Sequence, residues 1–301
     1  MFVFGDSFVD TGNVEKSELS KKSRQWYWPY GSDWGDRRPT GRFSNAMVQS
    51  DLVAQILGRQ GAPPTYRRRD NYVHPTGMNF AADGAGVYEV PHRAPTLDVQ
   101  VDHFRNLVQD GTITRRNLRD SVALVAVSGN DYARLATVQS TDDVSRLYTS
   151  ALDRSILVNN LHPVGCTPFQ TRAGNYSDCA LRDNMGAQFH NDYLNKKLNS
   201  SENNDVLIVD LHTAFTNIVN PNPNAAHEMS KQFKHKLSPC CESLDPSGYC
   251  GQMGEDGKQQ YRVCDNPDKY FFWDDVHPST DAGWKAVMKQ LQDPITNFLG
   301  L

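Results

Sequence analysis

Apolar residues in this chain gather into short β-branched and aromatic runs, set between longer stretches of mixed polarity. Phe2 to Phe4, Met78 to Phe80, Val122 to Val127, Ile156 to Asn160 and Val206 to Asp210 read as strands buried on both faces. Ala46 to Leu57, Leu97 to Val108 and Asp183 to Leu198 read as helices between them. Strand and helix in alternation predict an α/β fold, a three-layer α/β/α sandwich around a central parallel sheet of about five strands. Gln25 to Pro39 and Pro63 to His74, rich in Trp, Tyr, Gly and Pro, are poor helix or strand candidates and read as long surface loops. Loops over a cleft often select substrate. Trp26, Tyr27, Trp28 and Trp34 either line an acyl or alcohol pocket or pack their loop onto the body, and the second is the plainer expectation.

The ends of these runs carry candidate chemistry. The first run empties into Gly5-Asp6-Ser7, which places a hydroxyl at a strand's carboxyl edge, where open α/β sheets bind ligands. Val122 to Val127 leads into Ser128-Gly129-Asn130-Asp131, so Asn130 offers a primary amide at another strand end. Gly84, in Ala82-Asp83-Gly84-Ala85-Gly86, offers a backbone N–H in a glycine turn, the second kind of donor that an acyl-transfer site requires. Near the other terminus, Asp274 and His277 stand three apart, so one turn brings both onto one face. There the carboxylate can hold the imidazole's tautomer while the imidazole takes the serine's proton. Each residue also has an ordinary structural role open to it: helix cap for Ser7, turn residue for Gly84 and Asn130, a structural hydrogen bond for Asp274 and His277. His212, close behind Asp210, is a rival base, and Asp275 is expected to face elsewhere or cap a neighbour. The chain contains no Gly-x-Ser-x-Gly elbow and no phosphate-binding loop, and Gly84-Ala85-Gly86 lacks the third glycine of a dinucleotide fingerprint. No cofactor is expected.

These blocks, in this order, resemble the plant branch of the GDSL esterase/lipase family, the SGNH hydrolases. The resemblance spans nearly the whole chain. It extends to Pro29-Tyr30-Gly31, Pro39-Thr40-Gly41-Arg42-Phe43-Ser44-Asn45, Pro163-Val164-Gly165-Cys166-Thr167-Pro168 and the Cys240-Cys241 pair. It implies a flavodoxin-like fold with Ser7 as nucleophile, Asp274 as orienter and His277 as base. It also implies an oxyanion hole made of Gly84, Asn130 and the Ser7 amide. Two departures stand out: Ser128 occupies a position where the family usually has glycine, and Met1 abuts the first strand where members normally carry a signal peptide, which is read as removed.

Size and composition fit one enzyme domain over residues 1–301. The net charge of -4 and the short, isolated Arg67-Arg68-Arg69 cluster argue against a nucleic-acid partner. The longest apolar run, Val122 to Val127, falls far short of the ~20 residues of a bilayer helix. Six cysteines point to an oxidising compartment. Cys166 is expected to close on Cys179, and Cys240 and Cys241 each on Cys250 or Cys264; a zinc site is the competing reading. Sequons at Asn175 and Asn199 fit secretion. The expectation is therefore a secreted serine carboxylic ester hydrolase that forms an acyl-enzyme on a small-molecule ester of a lipid, sugar or specialised metabolite. The alternatives are an acyltransferase using the same residues with an alcohol acceptor, and a lipid- or glycan-binding protein without turnover. The sequence sets no oligomeric state, and a monomer is the default expectation.

Overall fold

The computed structural model describes residues 1–69, 74–88, 94–134, 155–199, 205–220 and 228–301. Strands β1 (Phe2–Gly5), β2 (Met78–Asn79), β3 (Ala123–Ala126), β4 (Ile156–Asn159) and β5 (Val206–Val209) form one sheet in the order β2-β1-β3-β4-β5, every pairing parallel. From β1 the chain winds first to one side and then to the other, so the topology reverses between β1 and β3. Crevices at such a switch point open at the carboxyl ends of the strands.

Side chains alternate along the strands and fill two cores. Val3, Leu124, Leu157 and Val209 point to one face with helices α1 (Gln49–Ile56), α4 (Leu211–Val219) and α5 (Lys285–Leu299). Phe2, Phe4, Val125, Ile156 and Val158 point to the other, with helices α2 (Leu97–Gln109) and α3 (Leu181–Asn199). Phe104 meets Phe2 and Phe4 edge-on at 5.1 and 5.6 Å between ring centres, a favoured aromatic arrangement. The expected α/β sandwich with a five-stranded parallel sheet is present.

Boundaries differ by a residue or more for local reasons. Val127, Asn160 and Asp210 lie beyond their strands. Asp210 instead caps α4, its carboxylate accepting from Thr213 N at 3.0 Å. Ala46 and Met47 precede α1 because they are tied to Thr280: Ala46 N donates to Thr280 Oγ1 at 2.8 Å, and that hydroxyl donates to Met47 O at 2.9 Å.

Helices α4 and α5 and a pair of small sheets lie outside the expected set. Helix α5 buries Val287, Met288, Leu291 and Ile295 despite an internal proline, Pro294. A pair of two-stranded sheets joins β6 (His235–Pro239) to β9 (Tyr270–Phe272) in parallel and β7 (Cys241–Ser243) to β8 (Tyr261–Val263) antiparallel. Disulfides Cys240–Cys264 and Cys241–Cys250 brace this region, and Cys166–Cys179 closes a loop before α3. Sulfurs so engaged are not thiolate ligands, which removes the zinc reading. Asn175 lies on an exposed turn, while Ser200 and Ser201 of the second sequon fall outside the described residues, as do 70–73 of the second expected loop.

Strand β9 buries Phe271 and Phe272 in the main core, whereas β7 and β8 are backed by a small cluster around Tyr30, Phe43 and Trp273. Each disulfide typically contributes ~2–4 kcal/mol. Reduction is therefore expected to raise amide exchange across residues 240–264 before it affects β1, β3 and β4, as followed by hydrogen-exchange mass spectrometry.

Candidate active site

Strand β1 ends in a turn that only glycine permits. Gly5 has φ +138°, and a Cβ there would lie 1.9 Å from the Ala126 carbonyl oxygen. Gln100 clasps the same residue, accepting from Gly5 N at 2.8 Å and donating to Gly5 O at 2.9 Å. Asp6 N then bonds Ala126 O at 3.0 Å, and the chain turns to present Ser7, which is 5% exposed.

Asp274 and His277 follow β9 in a turn closed by Trp273 N donating to His277 O at 2.7 Å. Asp274 Oδ1 accepts from the backbone of Val276 and His277 at 2.9 and 2.8 Å, which locks the winding. His277 Nδ1 lies 2.8 Å from Asp274 Oδ1, and its Nε2 lies 2.8 Å from Ser7 Oγ. The three side chains thus come together from opposite ends of the sequence.

Tyr30 of the first aromatic loop, and Arg24 directly before that loop, complete the surroundings of Asp274. Tyr30 OH donates to Asp274 Oδ2 at 2.7 Å, and Arg24 Nε donates to Tyr30 OH at 2.8 Å. Arg24 Nη2 reaches Asp274 at 3.4 Å and Asp275 at 3.3 Å. Burial alone would raise the Asp274 pKa. The charge and hydrogen bond of His277, with Arg24 and Tyr30 behind them, outweigh that and hold the carboxyl well below the usual range. An ionised Asp274 only accepts, so His277 Nδ1 carries its proton and Nε2 is left to accept from Ser7.

On the facing side, Gly84 adopts φ +71°. The N–H groups of Ser7 and Gly84 make no hydrogen bond among the described residues. Asn130 differs, for its amide donates both hydrogens, to Asp6 Oδ2 at 3.1 Å and to Ala85 O at 2.9 Å. Ser128, the departure from the family pattern, also serves Asp6, which accepts from its N at 2.5 Å and its Oγ at 2.7 Å. Burial pushes Asp6 up to about 6 even against these bonds. Asp10 fastens the Gly84 loop, accepting from Asp83 N at 2.9 Å and from Gly12 N at 2.7 Å. Asn13 adds bonds to Asn79 O and Ala81 O at 2.8 and 2.7 Å.

All five expected residues border or adjoin one cavity of about 540 Å³: Ser7, Gly84, Asn130 and His277 line it, and Asp274 sits fully buried behind His277. Asp275 also lines it and pairs with Arg24, which corrects the expectation that it faces elsewhere. Trp26, Tyr27, Trp28 and Trp34 do not line it. Trp26 packs its ring over Gly12 and Gly41 and donates Nε1 to Val14 O at 2.9 Å, as the plainer expectation has it, whereas Trp28 is 52% exposed and packs neither way. His212 lies in the first turn of α4, away from this cavity. His162 does line it, with its ring against Phe8 and Phe215; burial first, then the charge of His277, pushes it down to about 3, so it stays neutral.

Sequence reasoning missed Arg24, Tyr30, Asp6 and Asp10 as parts of the site. Asp6, directly before Ser7, and Asp10 and Asn13, three and six residues after it, carried a local signal; Arg24 and Tyr30 carried none. Tyr30→Phe leaves the buried Asp274 carboxylate one donor short. The expected cost is ~1.5–3 kcal/mol, the range for hydrogen bonds to charged groups, read from urea unfolding at neutral pH.

Comparison with known proteins agrees with this geometry. The family model for GDSL-like lipase/acylhydrolases matches residues 1–290. A GDSL esterase/lipase of Arabidopsis thaliana is 33% identical over 99% of this chain and 87% of its own length, and a second is 31% identical over 97% and 86%. A GDSL lipase of Tanacetum cinerariifolium is 28% identical over 93% of this chain and 80% of its own. Spanning almost the full chain and all the blocks that frame the cavity, this similarity shows that the chain belongs to the GDSL-like lipase/acylhydrolase family.

Proposed function

We propose that this protein is a secreted, single-domain serine esterase/lipase that cleaves a small-molecule carboxylic ester through an acyl-enzyme. The observation that carries the reading is the unbroken path Ser7 Oγ, His277 Nε2, His277 Nδ1, Asp274 Oδ1, with both gaps at 2.8 Å. Ser7 Oγ attacks the ester carbonyl as its proton passes to His277 Nε2. Asp274, held ionised, stabilises the imidazolium that forms. The developing oxyanion meets the N–H groups of Ser7 and Gly84, which need give up no other partner to receive it. Asn130 joins them when its amide exchanges a bond to Ala85 O or Asp6 for one to the substrate. Collapse breaks the ester C–O bond, and His277 returns the proton to the departing alcohol. Water, deprotonated by His277, then releases the acid and restores Ser7.

Secretion is supported by three disulfides, which persist in oxidising compartments. Among the described residues, no helix is long and apolar enough to cross a membrane.

The direct test is covalent. An organophosphonate ester probe is expected to add to Ser7 alone, located by peptide mass spectrometry, and Ser7→Ala is expected to keep its unfolding midpoint while losing both adduct and turnover. An adduct on any other residue overturns the assignment.

Turnover is expected to fall on acidification, as Asp6, which burial pushes up to about 6, loses the charge that orients Asn130. Ser128→Gly sharpens this. The Ser128 hydroxyl lowers the Asp6 pKa, so its removal lets burial push that pKa further up and moves the acid limb of kcat/KM to higher pH. A pH profile across the mildly acidic to neutral range on a stable ester reads the displacement.

A further inference from the structure

A second cavity of about 350 Å³ adjoins the first. The two share Lys21, Phe169 and Asp275 as a common wall. That wall is fixed by Phe169 N donating to Asp275 O at 2.8 Å and by the pairing of Asp275 with Arg24. Beyond it stand Tyr176 and Tyr249, with Arg172 and Glu242. Cys241 and Cys250, joined to each other, form part of the lining.

This lining is held in place with some strain. Asn175 and Tyr176 adopt φ +53° and +59° in succession, a region that non-glycine residues rarely enter and that is least suited to a bulky aromatic. Tyr176 is retained there by its N bonding Thr171 O at 2.9 Å and its hydroxyl donating to Glu242 Oε1 at 2.6 Å. Arg172 Nη2 donates to Ser243 O at 2.8 Å. Backbone strain of this kind collects at ligand clamps.

The direction of the chemistry says which part of an ester would lie here. His277 must hand its proton to the leaving oxygen, so the alcohol portion leaves on the His277 side and the carbonyl oxygen points to Gly84 on the other. Asp275 and Val276 directly precede His277, and Asp275 is the wall between the cavities. An alcohol larger than the first cavity's floor therefore extends over Asp275 and Phe169 into the second. The charges there balance, with Lys21 and Arg172 against Glu242 and Asp275, which favours a neutral occupant. The lining combines the aromatic side chains of Phe169, Tyr176 and Tyr249 with polar groups of Arg172 and Glu242, which suits a ring carrying hydroxyls on its edge and C–H groups on its faces.

We propose that the second cavity is the alcohol subsite of this enzyme and that it takes a neutral polyhydroxylated ring, a sugar or cyclitol. The proposal rests on the acyl-enzyme reading above.

The test compares methyl butyrate with the glucose monoester of butyric acid, which differ only in the alcohol. Tyr176→Gly removes the ring where glycine is at ease with the backbone, and Tyr249→Ala removes the other. For each variant, the ratio of kcat/KM for the glucose ester to that for the methyl ester is expected to fall on the order of tenfold, carried mainly by KM. A ratio unchanged within about twofold in both variants overturns the subsite, including the case in which both esters slow together. A second measurement needs no turnover: calorimetric binding of the glucose ester to Ser7→Ala, with and without Tyr249→Ala. Binding weakened on the order of tenfold by the second substitution supports the subsite even if wild-type turnover fails, an outcome that would count against the acyl-enzyme reading alone. Equal binding with and without the Tyr249 ring overturns the subsite while leaving that reading intact.

Discussion

The site hangs on how closely β1 and β3 approach at Gly5. With a Cβ placed there 1.9 Å from the Ala126 oxygen, any other residue would part the strands at the point where their ends diverge. Because they stay together, Asp6 reaches across the switch point and becomes the common acceptor for Ser128 and Asn130. One carboxylate thereby ties the Ser7 turn to the turn that carries the oxyanion-side amide. Hydrogen bonds to a charged group are worth ~1.5–3 kcal/mol each, while removing a carboxylate from water costs several. At Asp6 burial wins the contest, since its pKa still stands at about 6.

Asp274 is just as deeply buried and comes out the other way. The difference is positive charge at hand: His277 in direct contact and Arg24 behind Tyr30, where Asp6 has only neutral donors and a distant imidazole. Environment thus sorts carboxylates of identical chemistry into one whose pKa is held well below the usual range and one poised to lose its charge under mild acidity. Asp83, beside Gly84, belongs with the second kind, since burial pushes it up to about 7 against the pull of Arg24.

The parts of this arrangement that were legible in the sequence are those encoded locally. Strand runs show as apolar clusters, and Ser7, Gly84, Asn130, Asp274 and His277 each sit at the end of one or in a turn with a short-range signature. Helix α5 was missed because Pro294 and its polar face interrupt the run, although packing of Val287, Leu291 and Ile295 overrides both. The small sheets were missed because their strands are three to five residues long: β7 and β8 are held by disulfides and a cluster around Trp273, and β9 by burying Phe271 and Phe272 in the main core. Tyr30 and Arg24 could not be placed in advance because their partner, Asp274, lies 244 and 250 residues away. Tyr30 could be quoted as part of a resemblance, but its hydroxyl's target appears only when the termini meet.

The same geometry constrains deacylation. His277 protonates the leaving alcohol and must then deprotonate the next nucleophile, and microscopic reversibility requires both events to use the one nitrogen from the one side. Leaving group and acceptor therefore pass through the same space, bounded by Asp275, Phe169 and Lys21. This space opens to solvent at its rim, where Lys21 is exposed and Phe169 is 60% exposed, so water is an available nucleophile. An alcohol can compete only if it binds there for longer than water takes to react, which demands contacts that a methyl or ethyl group cannot make. Acyl transfer by this scaffold would thus be a property of the wall around the second cavity, with Ser7, His277 and Asp274 working identically in either outcome.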